Sequence, residues 1–290
     1  MIEYSVFNIY IKIYLILISD PRLKERLGGM YSFFAEGADF ANIGLQKEDV
    51  FFYTVTDSTN TRAREAFLAS PTHQKRLFIA REQTAGRGTR GRSFESKVGG
   101  IYFSLLFVPD AASYDPASIT ARAAAAVYEA LCEEIGRRHS KKMLIKWVND
   151  IYLYGKKICG ILSESINKDG AVGYVIGIGI NLYGDDFSPE VSKIAASVEA
   201  MTGVRPDEGR LLYGILSRLI PSLESPRSAG LIRSYKRHSL RRGTSITVTD
   251  SHSVTRGARV IGIDRDLHLK VRYDNGEAES LISGDVGIRI

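Results

Sequence analysis

Glu82-Gln83-Thr84-Ala85-Gly86-Arg87-Gly88-Thr89-Arg90-Gly91-Arg92 lies between two apolar runs, residues 77–80 and 101–108. Three glycines and three arginines share the stretch, and no acid follows Glu82. Glycine lets backbone N–H groups come close to an anion, and arginine offers a fixed fork for phosphate or carboxylate. No Gly-Lys-Ser/Thr follows, so this is not a Walker loop. The run after it, Ile101-Tyr102-Phe103 onward, reads as a strand, whereas a dinucleotide fingerprint opens a helix. A strand–loop–strand unit of this kind predicts an α+β fold with a mixed sheet.

Working outward, Val50-Phe51-Phe52-Tyr53-Thr54-Val55 is β-branched and aromatic, a strand. Asp57 or Ser58 then caps a helix to about residue 70, with Ala63, Ala66 and Phe67 on one face. Residues 116–138 read as a long Ala-rich helix. Residues 143–147, 151–154, 158–163 and 172–181 read as strands, with a tight turn at Tyr154-Gly155-Lys156. Residues 208–223 and 226–238 have helical spacing. After Arg242 short strands recur between the turn signals Asp264-Arg265-Asp266, Asp274-Asn275-Gly276 and Ser283-Gly284-Asp285. That texture predicts a small β-barrel. The expected organisation is an N-terminal extension over 1–47, a main domain over 48–240 and an all-β domain over 241–290.

The 290 residues are 44% hydrophobic and 25% charged, values of a soluble globular chain. The net charge of +6 and pI of 9.2 suit a phosphate-bearing ligand or nucleic acid without deciding between them. Cys132 and Cys159 form no CxxC pair and no zinc-like cluster, which points to reduced thiols in a cytoplasmic protein and to no metal site built by the chain itself. The apolar run over residues 9–18 is broken by Lys12 and is too short to span a bilayer. Glu3 precedes it, unlike a signal peptide. Met30 is an alternative start.

Three further stretches carry chemistry. Asp57-Ser58-Thr59-Asn60 holds more capping side chains than one helix needs, and the surplus can hydrogen-bond a small polar ligand. Lys146-Trp147-Val148-Asn149-Asp150, followed by Lys157-Ile158-Cys159-Gly160-Ile161-Leu162, sets lysines at the ends of apolar strands, with Gly160 leaving room for a ligand against the backbone. In Gly177-Ile178-Gly179-Ile180-Asn181 two glycines on one strand face leave a trough for a flat ring, and Asn181 offers both a donor and acceptors.

These motifs, in this order over residues 50–290, resemble the catalytic domain and C-terminal SH3-like barrel of biotin protein ligases, whose catalytic domain is related to class II synthetases. Each motif alone is weak; five in sequence are specific. The resemblance implies a cytoplasmic ligase that uses ATP, biotin and Mg²⁺. Biotin is first activated as biotinyl-5'-AMP and then passed to a lysine of a biotin carboxyl carrier domain. On that pattern Ser58, Thr59, Asn60 and Gln83 serve the ureido group, and Gly160, Gly177 and Gly179 pack on the rings and tail. Arg87 and Lys157 hold the carboxylate and α-phosphate, inside a loop that includes Gly86, Gly88 and Thr89. Phe94 stands where relatives often carry Trp and covers the adenine. Asn181 reads the adenine or helps bind the metal–phosphate group. Lys146 and Asn149 complete the nucleotide side, Asp150 accepts or orients the incoming lysine, and Arg289 reaches the nucleotide from the barrel. Relatives usually carry a second basic residue where this chain has Thr89, which implies weaker retention of the adenylate. Some relatives also carry an N-terminal winged helix-turn-helix that represses transcription. The first 47 residues lack that pattern, so a monofunctional ligase without specific DNA binding and without a membrane anchor is expected, a homodimer being compatible with the family. Two other readings remain at this point: a lipoate or octanoate ligase or transferase of the same fold, and a basic nucleic-acid-binding protein.

Overall fold

A computed structural model describes residues 40–71, 75–109, 114–184, 186–225, 228–250, 253–282 and 285–288. The expectations placed on residues 1–39, including Met30, and on Arg289 fall outside the described residues.

Seven strands form one mixed sheet: β1 (Val50–Thr56), β2 (Lys75–Gln83), β3 (Gly100–Phe107), β4 (Met143–Lys146), β5 (Asp150–Leu153), β6 (Lys156–Lys168) and β7 (Ala171–Asn181). Their order is β1-β2-β3-β7-β6-β5-β4. Only the β1–β2 pair is parallel. Its crossover is α1 (Thr59–Ala69). The strand expected after the Gly/Arg loop is β3, and all eight of its residues are buried.

Strand alternation sorts β7 into two faces. Tyr174, Ile176, Ile178 and Ile180 enter the main core, with α2 (Pro116–Ser140) and the later helices. Val175 turns to the other face, where Ala63 and Phe67 of α1 meet Phe78, Leu106 and Ile166 in a smaller cluster. Further along that second face the side chains are Gly177, Gly179 and Asn181. α1 covers one end of this face, and the glycine-lined remainder stays open as a cleft.

α2 starts with Asp115, whose carboxylate accepts the N–H groups of Ala117 and Ser118, and with Pro116 in its first turn. It ends in Arg137, Arg138 and His139, which complement the helix dipole. The short helices α3 (Pro189–Ser192) and α4 (Val198–Thr202) lead to α5 (Glu208–Glu224) and α6 (Gly230–His238), which pack against α2.

The second sheet is antiparallel: β8 (Ser245–Thr249), β9 (Thr255–Ile263), β10 (Leu269–Tyr273), β11 (Ala278–Leu281) and β12 (Asp285–Ile288), in the order β11-β10-β9-β8-β12. The expected turns at 264–266 and 274–276 connect β9 to β10 and β10 to β11. β11 and β12 do not pair, so among the described residues the barrel is not closed. Its apolar side, Ile246, Val248, Val260, Leu267 and Leu269, is continuous with the main core. No helix among the described residues is long and apolar enough to cross a membrane.

Candidate active site

A narrow cleft opens on the glycine face of the large sheet. Ser58, Thr59, Asn60, Gln83, Arg87, Gly88, Thr89, Phe94, Asn149, Lys157, Gly160, Gly177 and Gly179 line it, with Ile161, Leu162 and Ile178. Most of the residues expected from the sequence therefore converge. Gly86, Lys146, Asp150 and Asn181 are not in the lining.

One polar network runs along the cleft wall. Gln83 Nε2 donates to Ser96 Oγ at 2.8 Å, and Gln83 Oε1 accepts from the Thr59 N–H at 2.8 Å. Ser104 Oγ lies 2.7 Å from both Thr59 Oγ1 and Asn60 Oδ1. Asn60 Nδ2 donates to Glu164 Oε2 at 2.9 Å. Glu164 then receives both terminal nitrogens of Arg87, at 2.8 and 3.0 Å. Thr59, Asn60 and Gln83 are thus committed to one another as well as facing the cleft. Ser58, buried at the N-cap of α1, makes no capping hydrogen bond with its side chain.

The expected trough is present but filled. Gly160 and Gly179 face each other across β6 and β7. A Cβ on Gly179 would lie 2.8 Å from the Phe94 ring, and one on Gly160 would lie 3.0 Å from it. The Phe94 ring itself occupies the place expected for a flat ligand ring. A Cβ on Gly177 would sit 1.9 Å from Asn60 Oδ1, so that glycine admits the Asn60 side chain rather than a ligand. Gly86 makes room for the Phe94 carbonyl and for Ser96 Oγ, and so holds the loop from behind.

Lys157 Nζ lies 2.7 Å from Asp150 Oδ1 and 5.7 Å from the centre of the Phe94 ring. The Asp150 contact is an ion pair without hydrogen-bond alignment. Asp150 is therefore engaged with Lys157 and does not stand free in the cleft. The residues before it are pinned from several sides. Tyr235 OH donates to the Val148 carbonyl at 2.9 Å, and Asn149 Nδ2 donates to the Ile161 carbonyl at 2.7 Å. Lys146 points elsewhere, with Nζ 3.4 Å from Tyr152 OH.

Asn181 belongs to a neighbouring cavity that is open to solvent, with Gly99, Gly100, Tyr102 and Tyr183. Its Oδ1 is buried without a hydrogen-bond partner, which costs free energy unless a donor arrives. Phe94 separates the two spaces, meeting Tyr102 edge-on with ring centres 6.3 Å apart. Three residues of the network lie outside the sequence expectations, Ser96, Ser104 and Glu164. A lone Ser in the apolar run 101–107 is a signal for Ser104; no local signal marks the other two.

Residues 52–181 match the model of the Biotin/lipoate A/B protein ligase family. The likeness to that family runs through the large sheet, from β1 to the end of β7. The bifunctional ligase/repressor BirA of Bacillus subtilis is 34% identical over 173 residues, 58% of this chain and 52% of the relative. The biotin–[acetyl-CoA-carboxylase] ligase of Paracoccus denitrificans is 37% identical over 159 residues, 53% of this chain and 65% of the relative. The match thus spans about half the length of the Bacillus relative. In fold, the chain is similar to the biotin protein ligase of Aquifex aeolicus in complex with biotin and ATP. That likeness has a TM-score of 0.67 at 23% identity and covers 83% of this chain and 98% of the other.

Proposed function

We propose that the chain is an ATP-dependent biotin–protein ligase. One juxtaposition carries this reading: Lys157, held by Asp150, and Arg87, held by Glu164, bracket a cleft floored by paired glycines. Two cations beside a polar row and an apolar floor suit a small acid with a polar ring and an apolar tail. The relatives named for biotin favour that acid over lipoate.

In the first step a biotin carboxylate oxygen attacks the α-phosphorus of ATP. The bond from that phosphorus to the bridging oxygen breaks, and pyrophosphate leaves. Lys157 and Arg87 stabilise the charge that builds on the α-phosphoryl oxygens. Ser58 and the Gln83–Thr59–Asn60 row face the ureido group. The ring of the acid takes the floor at Gly160 and Gly179 while Phe94 swings to cover the nucleotide. The unpartnered Asn181 Oδ1 accepts from the adenine amino group in the neighbouring cavity.

In the second step a carrier-domain lysine, as the free amine, attacks the acyl carbon of the mixed anhydride; the bond from that carbon to the phosphate oxygen breaks, AMP leaves, and the amine's extra proton passes to solvent. Asp150 orients Lys157 in both steps. Asp150 and Glu164 are both in ion pairs. Mg²⁺ bound with the triphosphate would screen its charge.

Incubation with ATP, Mg²⁺ and radiolabelled biotin or lipoate tests this. Labelled biotinyl adenylate and labelled carrier domain are expected. Adenylate formed only from lipoate, or from neither acid, sinks the reading.

A further inference from the structure

Trp147 is the chain's single tryptophan and is buried. Its indole N–H donates to the carbonyl oxygen of Leu267 at 2.9 Å. Leu267 sits in the turn between β9 and β10, in the other sheet. It too is buried, and its φ of 66° is left-handed, a conformation disfavoured for a branched side chain. Something must impose that backbone, and Asp264 does. Asp264 Oδ1 accepts the N–H of Asp266 at 3.0 Å and of His268 at 2.9 Å, and the Asp264 carbonyl accepts the N–H of Leu267 at 3.4 Å. The crowding of Asp264, Asp266 and His268 is accounted for by this turn and needs no metal ion.

We propose that the turn over residues 264–268 is a positioning device for the Asn149–Asp150–Lys157 centre, acting through the Trp147–Leu267 hydrogen bond. Trp147 directly precedes the segment whose other anchors are Tyr235 on Val148, Ile161 on Asn149 and Lys157 on Asp150. The contact to Leu267 is the point where the second sheet holds that segment. If the Leu267 carbonyl moves, the buried indole N–H loses its partner, a costly state that the ring relieves by shifting. The shift passes along two peptide units to Asn149 and a third to Asp150, and so to the ammonium of Lys157. Trp147, Leu267 and Asp264 touch no substrate; they are positioning residues.

The inference rests on Lys157 acting in adenylate formation, and the experiment separates the two ideas. Biotin-dependent ATP–pyrophosphate exchange is measured for the native chain, Asp264→Ala, Asp264→Asn, Trp147→Phe and the double variant Asp264→Ala/Trp147→Phe. Emission of Trp147 is followed in the variants that keep it. If the native chain forms no adenylate, the functional reading itself has failed, and this inference falls with it. If it does, Asp264→Ala should show red-shifted emission and kcat lowered roughly 10–100-fold, as for small misplacements of reacting groups. Biotin affinity should stay within about 2-fold, a difference below ~0.5 kcal/mol. Asp264→Asn, which still accepts the two N–H groups, should recover most of the rate. The double variant should be no worse than the poorer single one, because both act through one link. Native kcat in a folded Trp147→Phe, or in Asp264→Ala with shifted emission, overturns the proposal.

Discussion

At the scale of single residues, Lys157 is the most exacting test. It sits at the start of a strand otherwise apolar at Ile158, Cys159 and Ile161, and its ammonium is held 2.7 Å from Asp150. Lys157→Ala should lower adenylate formation by orders of magnitude while far-UV circular dichroism and melting remain close to native. Pyrophosphate release at the native rate would remove Lys157 from the chemistry. Thr89 invites a subtler comparison. It lines the cleft, whereas Arg90 beside it is exposed, has a left-handed φ of 59° and is not in the lining. A charge-assisted hydrogen bond is worth ~1.5–3 kcal/mol, or roughly 10–100-fold in affinity. Thr89→Arg should therefore slow adenylate release and reduce stray labelling of bystander proteins; equal release rates would make Thr89 a neutral replacement. Residue types were legible where they broke a pattern, as at Lys157 or in the Gly/Arg loop. Glu164 was not, because its meaning lies in Arg87, 77 positions away, and in Asn60, 104 positions away.

At the scale of elements, the glycines of β7 turned out to have different tasks. Alternation puts Gly177 and Gly179 on one face and Asn181 next along it, but periodicity cannot say what lies above each position. Asn60 lies above the first, Phe94 above the second and a separate cavity beside the third. Gly177→Ala should push Asn60 off both Ser104 and Glu164, at a cost of ~1–3 kcal/mol for overpacking. Chemical denaturation should show that loss, together with weaker binding of biotin. The α2–α6 contact offers a pH test. His238 stacks on Tyr128 with ring centres 4.3 Å apart. Burial, then the nearby Arg237, push its pKa below the ordinary imidazole value, with Glu129 opposing and Arg241 reinforcing. Folded imidazole thus resists a proton that the unfolded chain accepts. Stability is therefore kept above the ordinary pKa of ~6.5 and declines as the pH falls from there toward the lowered value. Urea midpoints should drop as the pH falls below about 6.5, and His238→Asn should flatten part of that drop. An unchanged slope in the variant would assign the effect to other groups.

At the scale of the whole molecule, the order of strands and helices could be read from local patterning. The meeting of the two sheets at Trp147 and Leu267 could not: Trp147 stands out in its own stretch, but nothing local names a partner 120 positions away. A last consequence concerns time. The central seam of the large sheet joins β3 to β7, pairing Gly100 with Asn181 and Ser104 with Gly177. These partners are remote in sequence, and the helix α2 with the β4–β5 hairpin is looped out between them. Closing so long a loop is slow compared with forming that helix or that hairpin. The cleft straddles the seam, with Ser104 on one side and the glycines of β7 on the other, so it cannot exist until the seam has closed. In a refolding experiment helical circular dichroism should recover first. Capacity to bind biotin should return only with the slowest phase, and a ligand added early should leave the fast phase untouched.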